Sequence, residues 1–278
     1  MPKQGPTKDP LVYDPSAAAQ ASSAVIAIPG ALTSIRVLAP VERFARPDRA
    51  VVYYRLPGFD GRPETDWVVI TQAAQAIAAF ARTHRLDRVD LIGHSTGAVI
   101  ALEAAKEIRR TDPTTHVSVS AISTALPAPQ PLLAGVRGAA GTVAAAARTR
   151  SLNPRIVWLD YYRRLAYGPH ADAAPETAKA ADALVAANDD RITLPQRGLG
   201  RRHTRDLRRW TNPDPDALQG ADLTFYHGAV DPVFPPKATR RFIATLPEAN
   251  LKLIDGHGHL LLLTYPDIWA LIENDLTP

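Results

Sequence analysis

From Ala24 onward, short apolar runs alternate with longer segments whose apolar positions recur at helical spacing. The runs Ala24 to Ile28, Ala50 to Arg55, Arg88 to Ile92 and His116 to Ile122 predict buried strands. Ile35 to Phe44, Val68 to Phe80 and Ala98 to Ile108 predict helices between and after them, and in the second Val69, Ile70, Ala73, Ile77 and Phe80 fall on one face. Such alternation predicts an α/β fold with a mostly parallel sheet covered by helices on both faces. From about residue 124 to 218 the strand signal stops, and helices are expected at Leu132 to Ala147, Pro154 to Ala166, Pro175 to Ala187 and Arg201 to Trp210. Strands resume at Leu223 to His227 and Leu251 to Ile254, with helices at Pro236 to Leu246 and Tyr265 to Asn274. The expected organisation is a core from 24–123 and 219–278, a helical lid from 124–218, and a leader and loop over 1–23. The leader has four prolines and an Ala/Ser tract without periodicity, with room for one short strand at Leu11 to Tyr13.

Composition narrows the function classes. At 278 residues and 46% hydrophobic, the chain can bury one large core with a modest insertion. A net charge of +4 from 32 basic and 28 acidic residues does not call for a nucleic-acid partner. The absence of cysteine excludes disulfides and thiol chemistry. Asp9, Pro10, Asp14 and Pro15 interrupt the apolar stretch that a signal peptide needs, and the Ala/Gly tract Gly138 to Ala147 is too short and too weakly apolar to span a bilayer. A soluble, cytoplasmic protein with no membrane partner is expected.

The most specific feature is Gly93-His94-Ser95-Thr96-Gly97, a G-x-S-x-G set between the strand ending at Ile92 and the helix beginning near Ala98. A serine hydroxyl becomes nucleophilic only when a base can remove its proton, so it must be held out where an imidazole reaches it. A sharp strand-to-helix turn does that, glycines on both sides remove clashing side chains, and the helix N-terminus places an amide beside a developing oxyanion.

On this motif and its setting the chain resembles the α/β-hydrolase superfamily, in an esterase- and thioesterase-like branch with a helical cap, from residue 24 onward. The resemblance implies a Ser, acid, His order. It places Ser95 as nucleophile, Asp231 in the turn Gly228-Ala229-Val230-Asp231-Pro232-Val233 as acid, and His259 in Asp255-Gly256-His257-Gly258-His259-Leu260 as base. Family members carry a proline seven residues after the histidine, an offset that Pro266 gives to His259; His257 is the alternative. The oxyanion hole falls to the amides of Thr96 and Ala31, with Leu32 beside it after Pro29-Gly30. Leu32, His94, Trp158 and Tyr162 are candidate substrate contacts, with Tyr161 and Tyr167 as further aromatics of the lid.

The implied chemistry is acyl transfer to water, with no cofactor and, since no further ligands accompany His257 and His259, no metal. Ester, thioester, lactone and amide substrates all suit such a triad, and a non-catalytic ligand receptor of the same fold is the alternative from another class. Charge adds one more expectation. Residues 197–210 hold Arg197, Arg201, Arg202, Arg205, Arg208 and Arg209 against Asp206, a local charge of +5 that leaves −1 for the rest of the chain. This concentration suits an anionic small-molecule acyl substrate or an acidic carrier.

Overall fold

The computed structural model describes residues 9–172, 175–187 and 198–276; the expectations placed on residues 1–8 and on Arg197 lie outside them. Strands β1 (Leu11–Tyr13), β2 (Ser23–Ile28), β3 (Arg49–Tyr54), β4 (Arg88–His94), β5 (His116–Ile122), β6 (Asp222–Gly228) and β7 (Ala249–Ile254) form one sheet in the order β1-β3-β2-β4-β5-β6-β7. Only β1 runs antiparallel to its neighbour; every other pair is parallel. The chain first steps from β2 outward to β3 and then returns to the other side of β2 as β4. The carboxyl ends of β2 and β4 therefore flank a topological switch point, where a crevice opens in sheets of this kind.

Both faces are dry because successive strand residues point to opposite sides: Ala24, Ile26 and Ile28 enter one apolar layer, Val25 and Ala27 the other. The first-half helices are α1 (Pro15–Gln20), α2 (Ile70–Thr83) and α3 (Thr96–Thr111). The α3 residues Ala98 to Leu102, Ala104 and Ala105 are all buried, so this helix is enclosed rather than amphipathic. Lys106 on α3 is buried too, and its ammonium is satisfied by Glu103 Oε1 (2.8 Å), Asn212 Oδ1 (2.9 Å) and the Pro213 carbonyl (2.7 Å). Removing these partners would leave a buried charge unpaired, at a cost of about 3–5 kcal/mol.

Two local expectations in the first half of the chain are corrected. The Ala/Ser tract is not all loop: Pro15 to Gln20 coil into α1 because the Asp14 carboxylate accepts the Ser16 and Ala17 amides (2.8 and 3.3 Å) and Ala18 is buried. A one-turn helix has no period for a pattern to reveal. Ile35–Phe44 is helical but winds as a 3₁₀ helix; its buried residues Ile35, Leu38, Val41 and Phe44 repeat every third position, and Pro40 has no N–H to give an α-helix.

Between β5 and β6 lie α4 (Gln130–Thr149), α5 (Pro154–Tyr167), α6 (Pro175–Ala187) and α7 (Leu199–Thr204). The helix expected over Arg201 to Trp210 is broken after α7, and a 3₁₀ turn, Leu207–Arg209, follows. The break brings the Asp206 carboxylate to the Ile70 amide (2.8 Å), where it caps α2 across the chain. After β6 come α8 (Pro236–Ile243), then β7, α9 (Leu261–Thr264) and α10 (Ile268–Leu276). The last helix starts later than Tyr265 because a residue before proline is pushed out of the α region. Among the described residues no helix is long and apolar enough to cross a membrane.

Candidate active site

Ser95 sits where β4 turns into α3, with φ 51° and ψ −115°, a left-handed conformation that an L-residue adopts only when its surroundings impose it. The surroundings do so from two sides. The Ser95 amide donates to the Ile122 carbonyl at the end of β5 (2.9 Å), and the Ser95 carbonyl accepts the Ala125 amide (3.1 Å). The flanking glycines are required by close approach. A Cβ on Gly93 would lie 2.5 Å from Ala98 Cα, and one on Gly97 would collide with the carbonyl oxygens of Ile28 and Pro29.

Three side chains distant in sequence converge here. Ser95 Oγ donates to His259 Nε2 (3.1 Å), and His259 Nδ1 donates to Asp231 Oδ2 (2.8 Å). All three residues are buried. The other carboxylate oxygen of Asp231 accepts the Val233 and Phe234 amides (2.7 and 3.0 Å), which fixes its plane. Burial disfavours the charged carboxylate, but His259, beside and bonded to it, together with His227 and the Phe234 amide, outweighs burial and holds Asp231 below the usual carboxylate range. His257 lies off this line: it bonds Thr264 Oγ1 (2.8 Å), with its ring between those of Tyr167 and Tyr265.

His94 is buried against the same imidazole, ring centroids 5.3 Å apart, with Nε2–H on the His259 carbonyl (3.1 Å). Burial pushes its pKa down to about 3, so it is neutral, and it braces His259 from behind.

The loop after β2 carries Ala31 and Leu32. Leu32, at φ 61°, uses its amide on His203 Nδ1 (3.0 Å), while His203 Nε2–H donates to the Pro57 carbonyl (2.8 Å). Burial keeps His203 neutral, as its acceptor role demands. Neither the Ala31 nor the Thr96 amide has an acceptor among the described residues. The loop's far end is fixed by Asp60, whose carboxylate takes the Ser34 hydroxyl (2.5 Å) and the Ile35 amide (2.9 Å).

Helix α5 supports the site in a way the sequence pattern did not reveal. Its last carbonyls take the amides of Gly258 (2.7 Å, from Ala166) and His259 (2.6 Å, from Leu165). A Cβ on Gly258 would stand 2.5 Å from the Leu165 oxygen, so glycine is needed directly before His259. Of the aromatics singled out in the sequence, Tyr161 lines a cavity of about 480 Å³ that reaches Asp231, Val230 and Val233, with Gly138 and Gly141 of α4 against its ring. Trp158 and Tyr162 do not line that cavity; the Trp158 ring packs on Tyr161 at 5.6 Å. Leu32 is half-buried in the loop after β2, beside Gly200. No cluster among the described residues has the composition to hold a metal ion.

Comparison with known proteins agrees with this architecture. No curated protein sequence matches the chain. Among solved structures, the chain resembles MGS-M2, an α/β-hydrolase enzyme from a Medee basin deep-sea metagenome library, at 16% identity and TM-score 0.66, covering 96% of this chain and 94% of that one. A thermophilic esterase from Thermogutta terrifontis is similar at 15% identity and TM-score 0.65, covering 95% and 92%. A bromoperoxidase from Bacillus anthracis is similar at 18% identity and TM-score 0.62, covering 92% of each chain. At such identities these likenesses speak for the fold. The model of the alpha/beta hydrolase family matches residues 25–270, nearly the whole sheet, the turn at Ser95 and the helices between β5 and β6, and on that match the chain belongs to the α/β-hydrolase family.

Proposed function

We propose that this protein is a serine hydrolase that cleaves a carboxylic ester or related acyl bond through an acyl-enzyme. The observation that carries the reading is the unbroken hydrogen-bonded line from Ser95 Oγ through His259 to Asp231, anchored on a serine held at positive φ. Ser95 Oγ attacks the acyl carbon as its proton passes to His259 Nε2, and the oxyanion forms beside the Ala31 and Thr96 amides. The leaving group takes the proton from His259, leaving the acyl ester on Ser95. Water then attacks, with His259 as base, and the proton returns to Ser95 as the acid is released. Asp231 stays ionised throughout, as its lowered pKa requires, and stabilises the imidazolium.

The experiment is labelling with a serine-reactive fluorophosphonate alongside turnover of a nitrophenyl ester. Wild type should label, whereas Ser95→Ala should not label and should lose on the order of 10⁴-fold in turnover while keeping its fold. A folded Ser95→Ala protein with near-wild-type turnover would eliminate the mechanism, and a wild type inert to both reagents would favour the ligand-receptor alternative.

A further inference from the structure

Arg201, Arg205, Arg208 and Arg209 line one surface pocket of about 540 Å³ together with Trp67 and Leu132. Some arginines elsewhere are matched, as Arg43 is by Glu273, Arg110 by Glu107 and Arg148 by Asp160, whereas others among the described residues, such as Arg36 and Arg82, stand singly on the surface. None of the four in the pocket has a carboxylate partner among the described residues. The acid nearest in sequence, Asp206, is committed to the Ile70 amide. Four like charges converging on one concavity repel each other, so the arrangement is best satisfied by an anion from outside.

Its geometry is prepared for one. The Arg205 and Arg201 guanidinium carbons stand 4.9 and 5.9 Å from the Trp67 ring centroid. A guanidinium resting on an aromatic face keeps its planar fork of N–H donors available and loses less freedom on binding, which suits phosphate. Trp67, Arg205 and Arg209 also border an adjoining pocket of about 300 Å³ beside Val68 and Val69, where the Asp206 carboxylate joins the lining, so the net positive charge is concentrated in the larger pocket. Leu132 adds an apolar wall.

Both ends of this arginine segment are tied to the nucleophile's surroundings. At one end His203 holds the Leu32 amide, next to Ala31. At the other, the Trp210 carbonyl accepts the Ala128 amide, three residues after the Ala125 that binds Ser95. We infer that this pocket binds the phosphate groups of a substrate whose leaving group is phosphorylated, so that its acyl carbon is presented to Ser95. A concave pocket of this size fits a small-molecule phosphate better than the flat surface of an acidic protein. The substrate half of the inference rests on the hydrolytic role of Ser95; anion binding does not.

The probe for binding is inorganic pyrophosphate, titrated by calorimetry into wild type, Ser95→Ala and the triple variant R201Q/R205Q/R208Q, with thermal melting to verify the fold. Wild type and Ser95→Ala should bind alike and the triple variant at least about tenfold more weakly, all three more weakly at high salt, with R201K/R205K/R208K intermediate. No saturable binding by wild type, or equal binding by the triple variant, overturns the pocket. For the substrate half, butyryl-coenzyme A is compared with butyryl-N-acetylcysteamine, the same acyl thioester on a truncated thiol that lacks the phosphates, the nucleoside and most of the pantetheine arm. Wild type should prefer the former by at least about tenfold in kcat/KM, and the triple variant should lose that preference. An equal rate on both thioesters overturns the substrate assignment. So does a preference seen only when the thioester is carried on an acidic carrier protein, without pyrophosphate binding, which would assign the patch to protein docking. If wild type hydrolyses neither thioester nor any nitrophenyl ester, the hydrolytic role fails, and the titration still decides the pocket.

Discussion

The sheet core and the helical insertion are built on different principles. In β4 and β5 every residue after the first is buried, whereas only Pro131 and Ala145 of the twenty-residue α4 are buried. Among the described residues, the exposed large apolar side chains Leu132, Leu133, Val136, Val143, Leu152 and Ile156 all belong to the insertion, with Leu152 at 92% exposure. The core is therefore held by area removed from water, at about 25 cal/mol per Å². The insertion joins the core layer at fewer apolar residues, Leu207, Trp210 and Leu218 among them, and adds polar pegs: His203 on Leu32, Asp206 on Ile70, Arg137 on the Val233 carbonyl, and the end of α5 on Gly258 and His259. Three of these four land on the loops that carry Leu32, Val233 and His259, so the insertion's polar contacts fall on the candidate site as well as its apolar ones on the core.

The largest test of this contrast is at the histidines. His259, in the line from Ser95 to Asp231, should cost on the order of 10⁴-fold in ester turnover when changed to alanine. His257, bonded to Thr264 and outside that line, should cost less than about tenfold. Steady-state kinetics of the two variants decide, and a greater loss at His257 would mean that the loop is used in another register.

Glycines sharpen the comparison next. Gly97→Ala in the core drives a Cβ into backbone carbonyls that cannot move, and should lower unfolding free energy by about 3 kcal/mol or more. Gly135→Ala in α4 meets nothing within 4 Å and should raise stability by about 0.5–1 kcal/mol through helix propensity and a less flexible unfolded chain. Urea unfolding of both variants checks this; a destabilising Gly135→Ala would show that α4 is packed more tightly than its exposure implies.

Acid should act on core and peg together. His94, His227 and His203 are held neutral by burial, their folded pKa values lying below the ~6.5 of an unfolded imidazole. Below that pH the unfolded chain binds more protons than the native one, so stability is complete above it and falls as pH drops toward each folded value, about 3 for His94. The slope is up to ~1.4 kcal/mol per pH unit for each histidine. Urea midpoints at pH 7 and pH 5 measure it, and a stability that stays flat across that interval would rule out neutral burial of these rings.

The sheet, the enclosed α3 and the turn at Ser95 were legible in the sequence because each is a local code: apolar runs of strand length, helical spacing, and glycines where a backbone must pass close. Three-residue spacing in Ile35 to Phe44 was on the page as well, although it was expected to mark an α-helix and marks a 3₁₀ helix instead. Asp231 and His259 were reached only through family resemblance and the Pro266 offset, since nothing local distinguishes them from an Asp-Pro turn and a second Gly-His. What only the tertiary structure decided is how the insertion meets the site. His203 stands in an arginine run yet caps an amide 171 residues away, and Asp206 caps a helix 136 residues away. Tyr161 rather than Trp158 or Tyr162 reaches the cavity by Asp231, and Trp67, from the far side of the chain, collects Arg201 and Arg205. Each of these is a contact between segments whose own patterns are complete without it. Hydrophobic periodicity records which face of an element is buried; it carries no record of which distant side chain arrives to bond the backbone at its end.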